Sequence, residues 1–266
     1  NMFQTTRSMV FADGLPLHYF LQTQYNGSPR WSLVAADEIG FIEVVYGPFS
    51  ALYSGNAMGG VVNIETTIPT ARRLHVEAST FVQSFEANGF EDAASGSRAF
   101  VSYGDKLGAV SFYAAYTRLD NRSQPQDFLF ASAAEPAADA AAVSGSVAGH
   151  DEYGHAVRYF GNTGPQRART DQLKTKVGYE AGEWLALGTV AYESRDSARD
   201  AVENYLRDAS GAPVWEGSVA DDGFGLALRG SDFAVETGRR TSLLAGVRVE
   251  GPLTPEWRLE AGVSYF

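Results

Sequence analysis

The chain has 266 residues, is 44% hydrophobic and 12% aromatic, and contains no cysteine, which excludes disulfides and thiolate chemistry within it. Its net charge of −11 argues against a nucleic-acid-binding protein, because no basic stripe is present to neutralise phosphates. No stretch reaches the ~20 consecutive apolar residues that a membrane-spanning helix needs.

The first residues of the chain show a short apolar run that ends in a turn signal. Residues 8–12 are Ser-Met-Val-Phe-Ala, and Asp13-Gly14 directly after them is a dipeptide that favours turns. The following segment, 18–40, is polar and aromatic. The pattern therefore predicts a turn at residues 13–14.

Residues 41–67 are the most informative stretch of the sequence. A β-rich run, 41–46, is followed by Gly47-Pro48, by a helix-compatible piece at 50–53, and by glycines that lead into a second β-branched run at 61–64. Glycines permit backbone angles and close approaches that other residues resist, so we predict a compact folded crossing and not a linker. A phosphate-binding loop is the alternative for such glycines, but no Lys-Ser or Lys-Thr follows Gly60.

This stretch resembles the end of the plug domain of TonB-dependent outer-membrane receptors. The family's usual form is I-E-V-x-R-G-P-x-S-x-x-Y-G-x-x-A-x-G-G-V-I-N-I, preceded by a D-G-x-P element. Tyr46 stands where the family usually has Arg, a residue associated there with plug–barrel ion pairs, and Ser54 stands where it usually has Gly. The matching motif positions that we assign a structural role are Asp13, Gly14, Pro16, Glu43, Gly47, Pro48, Tyr53, Gly59, Gly60 and Asn63.

From residue 72 onward, apolar and polar residues alternate, as is typical of β-strands with two different faces. We count about seven such runs, each near the ~10 residues that a tilted membrane strand needs. The run 184–193 is fairly apolar on both faces, which leaves its orientation open. The runs are 74–83, 98–103, 110–116, 173–179, 184–193, 242–250 and 257–265.

The connections between these runs differ in length. We predict short turns at 104–108, 181–183 and 251–255, and long loops near 86–97, 119–170 and 194–239. Short turns on one side and long loops on the other are typical of outer-membrane barrels, whereas a soluble sandwich is not expected to segregate loop lengths in this way. Aromatic residues near the strand ends fit the interfacial girdles of such barrels.

The predicted fold is an all-β membrane barrel with a small mixed α+β plug inside it. We assign residues 1–70 to the plug and 71–266 to the first barrel strands. Plugged outer-membrane transporters have roughly 22 strands, and about seven are too few to close around a plug. We therefore expect a fragment that holds most of the plug and roughly the first third of the barrel, with the export signal and the TonB box upstream.

By resemblance, the expected function is that of a receptor in the outer membrane of a Gram-negative bacterium. It would bind a scarce substrate outside the cell, and the TonB complex would pull on its plug from the periplasm. A siderophore complex, cobalamin, a saccharide and a peptide all remain open as substrates. The expected partners are the TonB complex, outer-membrane lipid and the small-molecule substrate, without nucleic acid, and the full-length protein is expected to be a monomer.

The alternative of another class is a passive β-barrel pore or a surface adhesin without TonB coupling, and ordinary pores lack a plug. We expect neither an enzyme nor a cofactor, because no G-x-S-x-G or H-E-x-x-H motif and no cysteine nucleophile is present.

A candidate substrate-binding segment is suggested by the resemblance. In the family, plug loops between the D-G-x-P element and the I-E-V stretch line the floor of the binding cavity, and residues 18–31 correspond to them here. The segment combines aromatic faces, amide donors and one cation, a mixture that suits a ligand with apolar area and a few polar or anionic groups. Packing of the aromatics against the barrel wall is the alternative. The candidate residues are Tyr19, Gln22, Gln24, Tyr25, Arg30 and Trp31.

The longest predicted loop contains a group of residues that could bind a metal. His150 and His155 flank Asp151 and Glu152, which places two imidazoles and two carboxylates close together in sequence. A solvated polar loop is the simpler interpretation, and we predict no metal site there.

Overall fold

The computed structural model describes residues 8–17, 29–46, 53, 59–132, 134–200, 202–235 and 237–266. In these ranges the only helical segments are short 3₁₀ turns, at Trp31–Leu33, Ala36–Glu38 and Gly230–Phe233. None of the described helices is long and apolar enough to cross a membrane.

The strands, in chain order, are β1 (Ser8–Ala12), β2 (Leu15–Pro16), β3 (Ile39–Val45), β4 (Gly60–Thr66), β5 (Arg73–Ala87), β6 (Phe90–Leu107), β7 (Val110–Pro125), β8 (Phe128–Ser132), β9 (Ala141–Ala142), β10 (Val147–His150), β11 (Ala156–Asn162), β12 (Pro165–Ala181), β13 (Trp184–Arg199), β14 (Glu203–Asn204), β15 (Gly217–Asp221), β16 (Phe224–Leu228), β17 (Thr237–Pro252) and β18 (Arg258–Tyr265).

The first four strands form one small mixed sheet in the order β2-β1-β4-β3. β1 runs parallel to β4, and β3 pairs antiparallel with β4 in a register that places Glu43 opposite Asn63. The predicted runs 41–46 and 61–64 are therefore the two paired strands β3 and β4. The helix-compatible piece at 50–53 lies outside the described residues except for Tyr53.

The second architectural unit is a seven-stranded antiparallel sheet in the order β18-β17-β13-β12-β7-β6-β5. Its members follow one another along the chain apart from the short strands of the two long connections. These are the seven alternating runs of the sequence, and the large antiparallel sheet confirms the predicted all-β class. Several strands are longer than the sequence indicates, and β6 reaches 18 residues.

One predicted connection is wrong. The sequence suggested a long loop over 86–97, but β5 and β6 are joined by the two-residue turn Asn88-Gly89. Both residues have left-handed backbone angles, with φ of 50° and 85°, which is the preferred geometry of an Asn-Gly hairpin turn. The error arose because residues 91–97 are small and polar on both faces, so apolar alternation does not reveal them as a strand.

The two sides of the seven-stranded sheet differ in polarity. We call the side turned toward the small sheet the plug-facing side and the other the outer face. The outer face is apolar and open, with exposures such as 66% for Leu74, 53% for Val177 and 71% for Val263. The plug-facing side buries polar residues instead, among them Ser102, Ser111, Gln172, Lys174, Lys176 and Glu193.

The orientation of β13, which the sequence left open, is resolved by burial. Thr189, Ala191 and Glu193 are buried on the plug-facing side, while Val190 and Tyr192 are exposed on the outer face. A shared apolar cluster then joins the two sheets. It consists of Val10, Ala12, Leu15, Leu17, Leu33 and Ile64 from the small sheet and its turns, and Ala191 and Leu244 from the large sheet.

The two long connections, 126–164 and 200–236, fold together, and we call them the loop module. β8, β10 and β14 all pair with β11, and β9 pairs with β15, so that strands of the first connection bind strands of the second. The module has its own apolar cluster: Phe160, Leu206, Val219, Leu226, Leu228 and Phe233. These connections are therefore packed structure and not extended polar loops.

Candidate functional site

The turn predicted at Asp13-Gly14 connects β1 to β2 and fastens the end of β4. Both residues have positive φ, 51° and 76°. The buried carboxylate of Asp13 accepts hydrogen bonds from the backbone N–H of Thr66 at 2.7 Å and from its hydroxyl at 2.6 Å. The D-G-x-P element thus holds the last residue of the small sheet in place.

A second set of motif residues meets around Asn63. Its amide donates to the Tyr53 hydroxyl at 2.9 Å and to the Glu43 carboxylate at 3.3 Å. Gly60 begins β4 with φ of 128°, and a Cβ there would lie 2.7 Å from the carbonyl oxygen of Val45. Only glycine fits this close approach of β3 and β4. Gly47 and Pro48 lie outside the described residues, and Gly59 and Pro16 lie at the edges of the strands.

The small sheet is fixed to the large one by a buried charge cluster. Glu38 is 1% exposed, and its carboxylate lies 2.8 Å from the ammonium of Lys174 and 3.4 Å from that of Lys176. Lys176 also donates to the Thr66 hydroxyl at 2.5 Å and to the Thr67 carbonyl at 2.9 Å. The two lysines of β12 therefore bind both ends of the β3–β4 pair.

Two further ion pairs cross the same interface nearer its edges. Arg248 of β17 lies 3.5 Å from Glu65, and burial, with Arg248 opposing it, raises the pKa of the Glu65 carboxyl. Asp37 lies 3.5 Å from the imidazole of His75 and 3.9 Å from the guanidinium of Arg98. The interface is polar and charged over much of its area, which distinguishes it from an ordinary protein core.

Sequence reasoning missed Glu38, the central carboxylate of this interface. Tyr46, which replaces the family's usual Arg, is 80% exposed and has no ion pair in the described part of the chain. The interface charges come instead from Glu38, Glu65 and the strand residues Lys174 and Lys176. A signal was present, since the two lysines alternate with apolar residues in a predicted strand and so had to share its polar face.

Of the predicted substrate-binding residues, the structure describes Arg30 and Trp31, while Tyr19, Gln22, Gln24 and Tyr25 lie outside the described residues. Trp31 is 53% exposed, so it does not pack into the wall. The neighbouring Ser32 hydroxyl donates to Glu193 of β13, and Leu33 is fully buried. Burial lowers the pKa of Arg30, and the nearby Arg240 acts in the same direction while Glu193 opposes both.

The His150–His155 segment is a hairpin between β10 and β11. The Asp151 carboxylate accepts from the backbone N–H groups of Tyr153 and His155, at 2.9 and 2.8 Å, and lies 3.0 Å from the His155 ring. The described residues contain one group with metal-ligand spacing, which is Asp37, His75 and Glu77. There Arg98 lies 2.8 Å from Glu77 and already supplies a positive charge.

Comparison with known proteins bears on the first part of the chain. Residues 3–61 match the family described as "TonB-dependent Receptor Plug Domain". This range contains every plug motif position named above except Asn63.

Solved structures of receptors show a weaker likeness over a longer range. A variant of the ferric enterobactin receptor PfeA of Pseudomonas aeruginosa is 18% identical with a TM-score of 0.44, and the match covers 97% of this chain and 41% of that one. The siderophore receptor PirA of Acinetobacter baumannii is 14% identical with a TM-score of 0.39, covering 97% and 40%. The chain thus spans about two fifths of the length of these structures.

The assignment rests on the plug domain and not on these structural likenesses. The family is one of transport receptors and not of enzymes. The resemblance that the sequence predicts is thereby confirmed, and this chain carries the plug domain of a TonB-dependent receptor.

Proposed function

We propose that this chain is part of an outer-membrane receptor that takes up a scarce substrate by TonB-dependent transport. The observation that carries the proposal is the polar docking of a plug domain on an antiparallel sheet whose outer face is apolar. Alternating strands with an apolar side turned outward and a polar side turned inward are what a membrane barrel requires. We assign residues 1–70 to the plug and 71–266 to the barrel, with the change between the end of β4 and the start of β5.

In this proposal the plug–wall interface is where transport acts. The plug must either move or rearrange for a substrate to pass, and its contacts to the wall must then break and re-form. Charged and hydrogen-bonded contacts such as those of Glu38 with Lys174 exchange partners with water more readily than an apolar core, because water solvates the separated groups. A polar interface is therefore suited to reversible release.

The substrate is expected to meet the protein on the side of the plug that carries Arg30 and Trp31. Trp31 offers an exposed aromatic face, and Arg30 offers a cation next to the wall. Together with Tyr19, Gln22, Gln24 and Tyr25 of the same segment, they suit a ligand with apolar area and a few anionic or polar groups. A siderophore complex, cobalamin and a saccharide are the candidate substrates.

The direct test is uptake by cells that express the full-length receptor. Radiolabelled ferric siderophores, cobalamin and oligosaccharides would be offered to a receptor-null strain carrying the gene, with and without functional TonB. We expect one of these probes to accumulate only when TonB is present. Equal accumulation without TonB would support the passive pore instead, and surface attachment without any uptake would support the adhesin.

Sidedness provides a second test of the proposal. We expect the loop module outside the cell and the short turns at 182–183 and 253–257 in the periplasm. Cysteines introduced at the exposed residues Ser144 and Ser210 should react with an impermeant thiol reagent on intact cells, while one at Leu253 should not. The reverse pattern would contradict the proposed orientation.

A further inference from the structure

Two arginines face each other on the plug-facing side of the wall. Arg195 of β13 lies directly opposite Arg240 of β17 in the strand register. Arg195 shares its side of β13 with the buried residues Ala191 and Glu193, and Arg240 shares its side of β17 with the buried Leu244. Like charges directly opposite one another destabilise a sheet, so this pair works against the fold.

The carboxylates on the plug-facing side do not balance these charges. Glu193 accepts from Arg240 at 3.0 Å and from the Ser32 hydroxyl, and its side chain is 1% exposed. Among the residues that the structure describes, Arg195 has no hydrogen-bond or ion-pair partner. Arg30 of the plug adds a third guanidinium, close enough for Arg240 to contribute to lowering its pKa.

The outer face of the same strands shows what balanced pairing looks like. There Arg169 lies 3.2 Å from Asp120, Arg239 lies 3.4 Å from Asp196, and Arg118 lies 3.8 Å from Asp171. Each arginine has a carboxylate partner on a neighbouring strand. The excess of positive charge is therefore confined to the plug-facing side, where solvent reaches Arg240, whose side chain is 42% exposed.

We propose that Arg195 and Arg240 of the wall, with Arg30 of the plug, form a subsite for an oxyanionic group of the ligand, either a carboxylate or a phosphate. Guanidinium groups bind such oxyanions with paired, directional hydrogen bonds. A bound oxyanion removes the repulsion between the two wall arginines, which explains why a locally unfavourable pair is present. A local conflict of this kind is expected at functional sites. The nature of the complete ligand rests on the proposed receptor function, but the charge of the subsite does not.

The test measures the local charge with a cysteine placed beside Arg195. Thr170 of β12 is opposite Arg195 in the register and partly exposed, so Thr170→Cys in the full-length receptor reports on the subsite. Its rate of modification would be compared for a negatively charged sulfonate methanethiosulfonate and a positively charged trimethylammonium one. We expect the anionic reagent to be favoured, and the ratio of the two rates to fall about fivefold or more when Arg195→Met is added.

Two controls make the result specific. Ser218→Cys in the loop module is exposed and lies near Glu216, Asp221 and Asp222, so the cationic reagent should be favoured there. Arg195→Lys keeps the positive charge and should keep most of the ratio at Thr170→Cys. Because Arg195 has no partner in the described structure, its replacement is expected to leave the fold intact.

A ligand arm uses inorganic phosphate as the probe. Replacing chloride by phosphate at equal ionic strength should slow anionic modification of Thr170→Cys, but not when Arg195→Met is present. No preference for the anionic reagent, or protection by phosphate that does not depend on Arg195, would overturn the subsite. Loss of TonB-dependent uptake with these labelling results intact would instead count against the proposed receptor function alone.

Discussion

The two faces of the seven-stranded sheet hold similar charged residues in opposite settings. On the outer face, ion pairs such as Arg169 with Asp120 are about half exposed, and apolar residues such as Val263 lie open. On the plug-facing side, Lys174, Lys176 and Glu38 are buried almost completely. The comparison teaches that the sheet is built inside out relative to a soluble protein, with its polar interactions concentrated where the plug docks.

The largest expected effect comes from breaking the buried charge cluster. Glu38→Gln leaves two buried ammonium groups without their carboxylate, and removing one partner of a buried pair costs about 3–5 kcal/mol. We expect the plug to detach from the wall more often, which hydrogen exchange of the β3 and β4 amides in the full-length receptor would measure.

A matched control for that substitution is Glu77→Gln, because Glu77 also pairs with an arginine but its side chain is 39% exposed. Such an exposed pair contributes about 0–1 kcal/mol. Equal acceleration of exchange in the two variants would show that burial of Glu38 does not govern docking.

A charge placed on the outer face is the next largest perturbation. Val263→Arg puts a guanidinium on the face assigned to lipid, which costs about 2–4 kcal/mol near the membrane midplane. The adjacent Ser264 points to the other side, into a cavity of about 590 Å³ that also contains Glu65 and Glu260. Ser264→Arg should therefore be milder. The amount of folded receptor in the membrane measures both, and equal losses would contradict the assignment of the faces.

Two neighbouring glycines sharpen the comparison on a smaller scale. A Cβ on Gly246 would lie 2.7 Å from the Leu15 side chain of the plug, whereas a Cβ on Gly188 would meet only the Val177 carbonyl, at 3.9 Å. Gly246→Ala should weaken docking by about 1–3 kcal/mol through overpacking. Gly188→Ala should have little effect. Thermal stability of the plug, followed by hydrogen exchange, would separate them, and similar values would argue that Leu15 does not abut the wall.

The smallest effect is expected from the exposed ion pairs of the outer face. Arg169 and Asp120 are 53% and 50% exposed, so their pairing contributes about 0.2–1 kcal/mol. A double-mutant cycle with Arg169→Met and Asp120→Ala measures this coupling in chemical unfolding. A coupling comparable to that of the Glu38 cluster would remove the contrast between the two faces.

Much of the fold was predictable because its signals are local. Strict alternation identified the seven strands, and Asp13-Gly14 identified a turn whose backbone angles require such residues. The β6 extension over 90–97 was not predictable, because small polar residues on both faces carry no period. The loop module was missed for another reason, since its core joins Leu206 to Phe160 across two connections that are distant in sequence.

The functional site was predictable only in part. Resemblance located the plug motif, and alternation placed Lys174 and Lys176 on one face. Nothing in the sequence indicated that their partner is Glu38, because that contact joins residues 136 positions apart. The facing of Arg195 and Arg240 likewise depends on the register between β13 and β17, which the long intervening connection hides.

The most direct test of the account compares two adjacent residues of one strand. Spin labels at Val190 and Thr189 of β13, in the full-length receptor in lipid bilayers, would be exposed in turn to oxygen and to a water-soluble nickel chelate. Val190 is 47% exposed on the outer face, and Thr189 is 4% exposed against the plug. We predict strong relaxation of the Val190 label by oxygen alone and weak relaxation of the Thr189 label by either reagent. Equal oxygen access at both positions, or preferential nickel access at Val190, would contradict a lipid-facing wall with a docked plug.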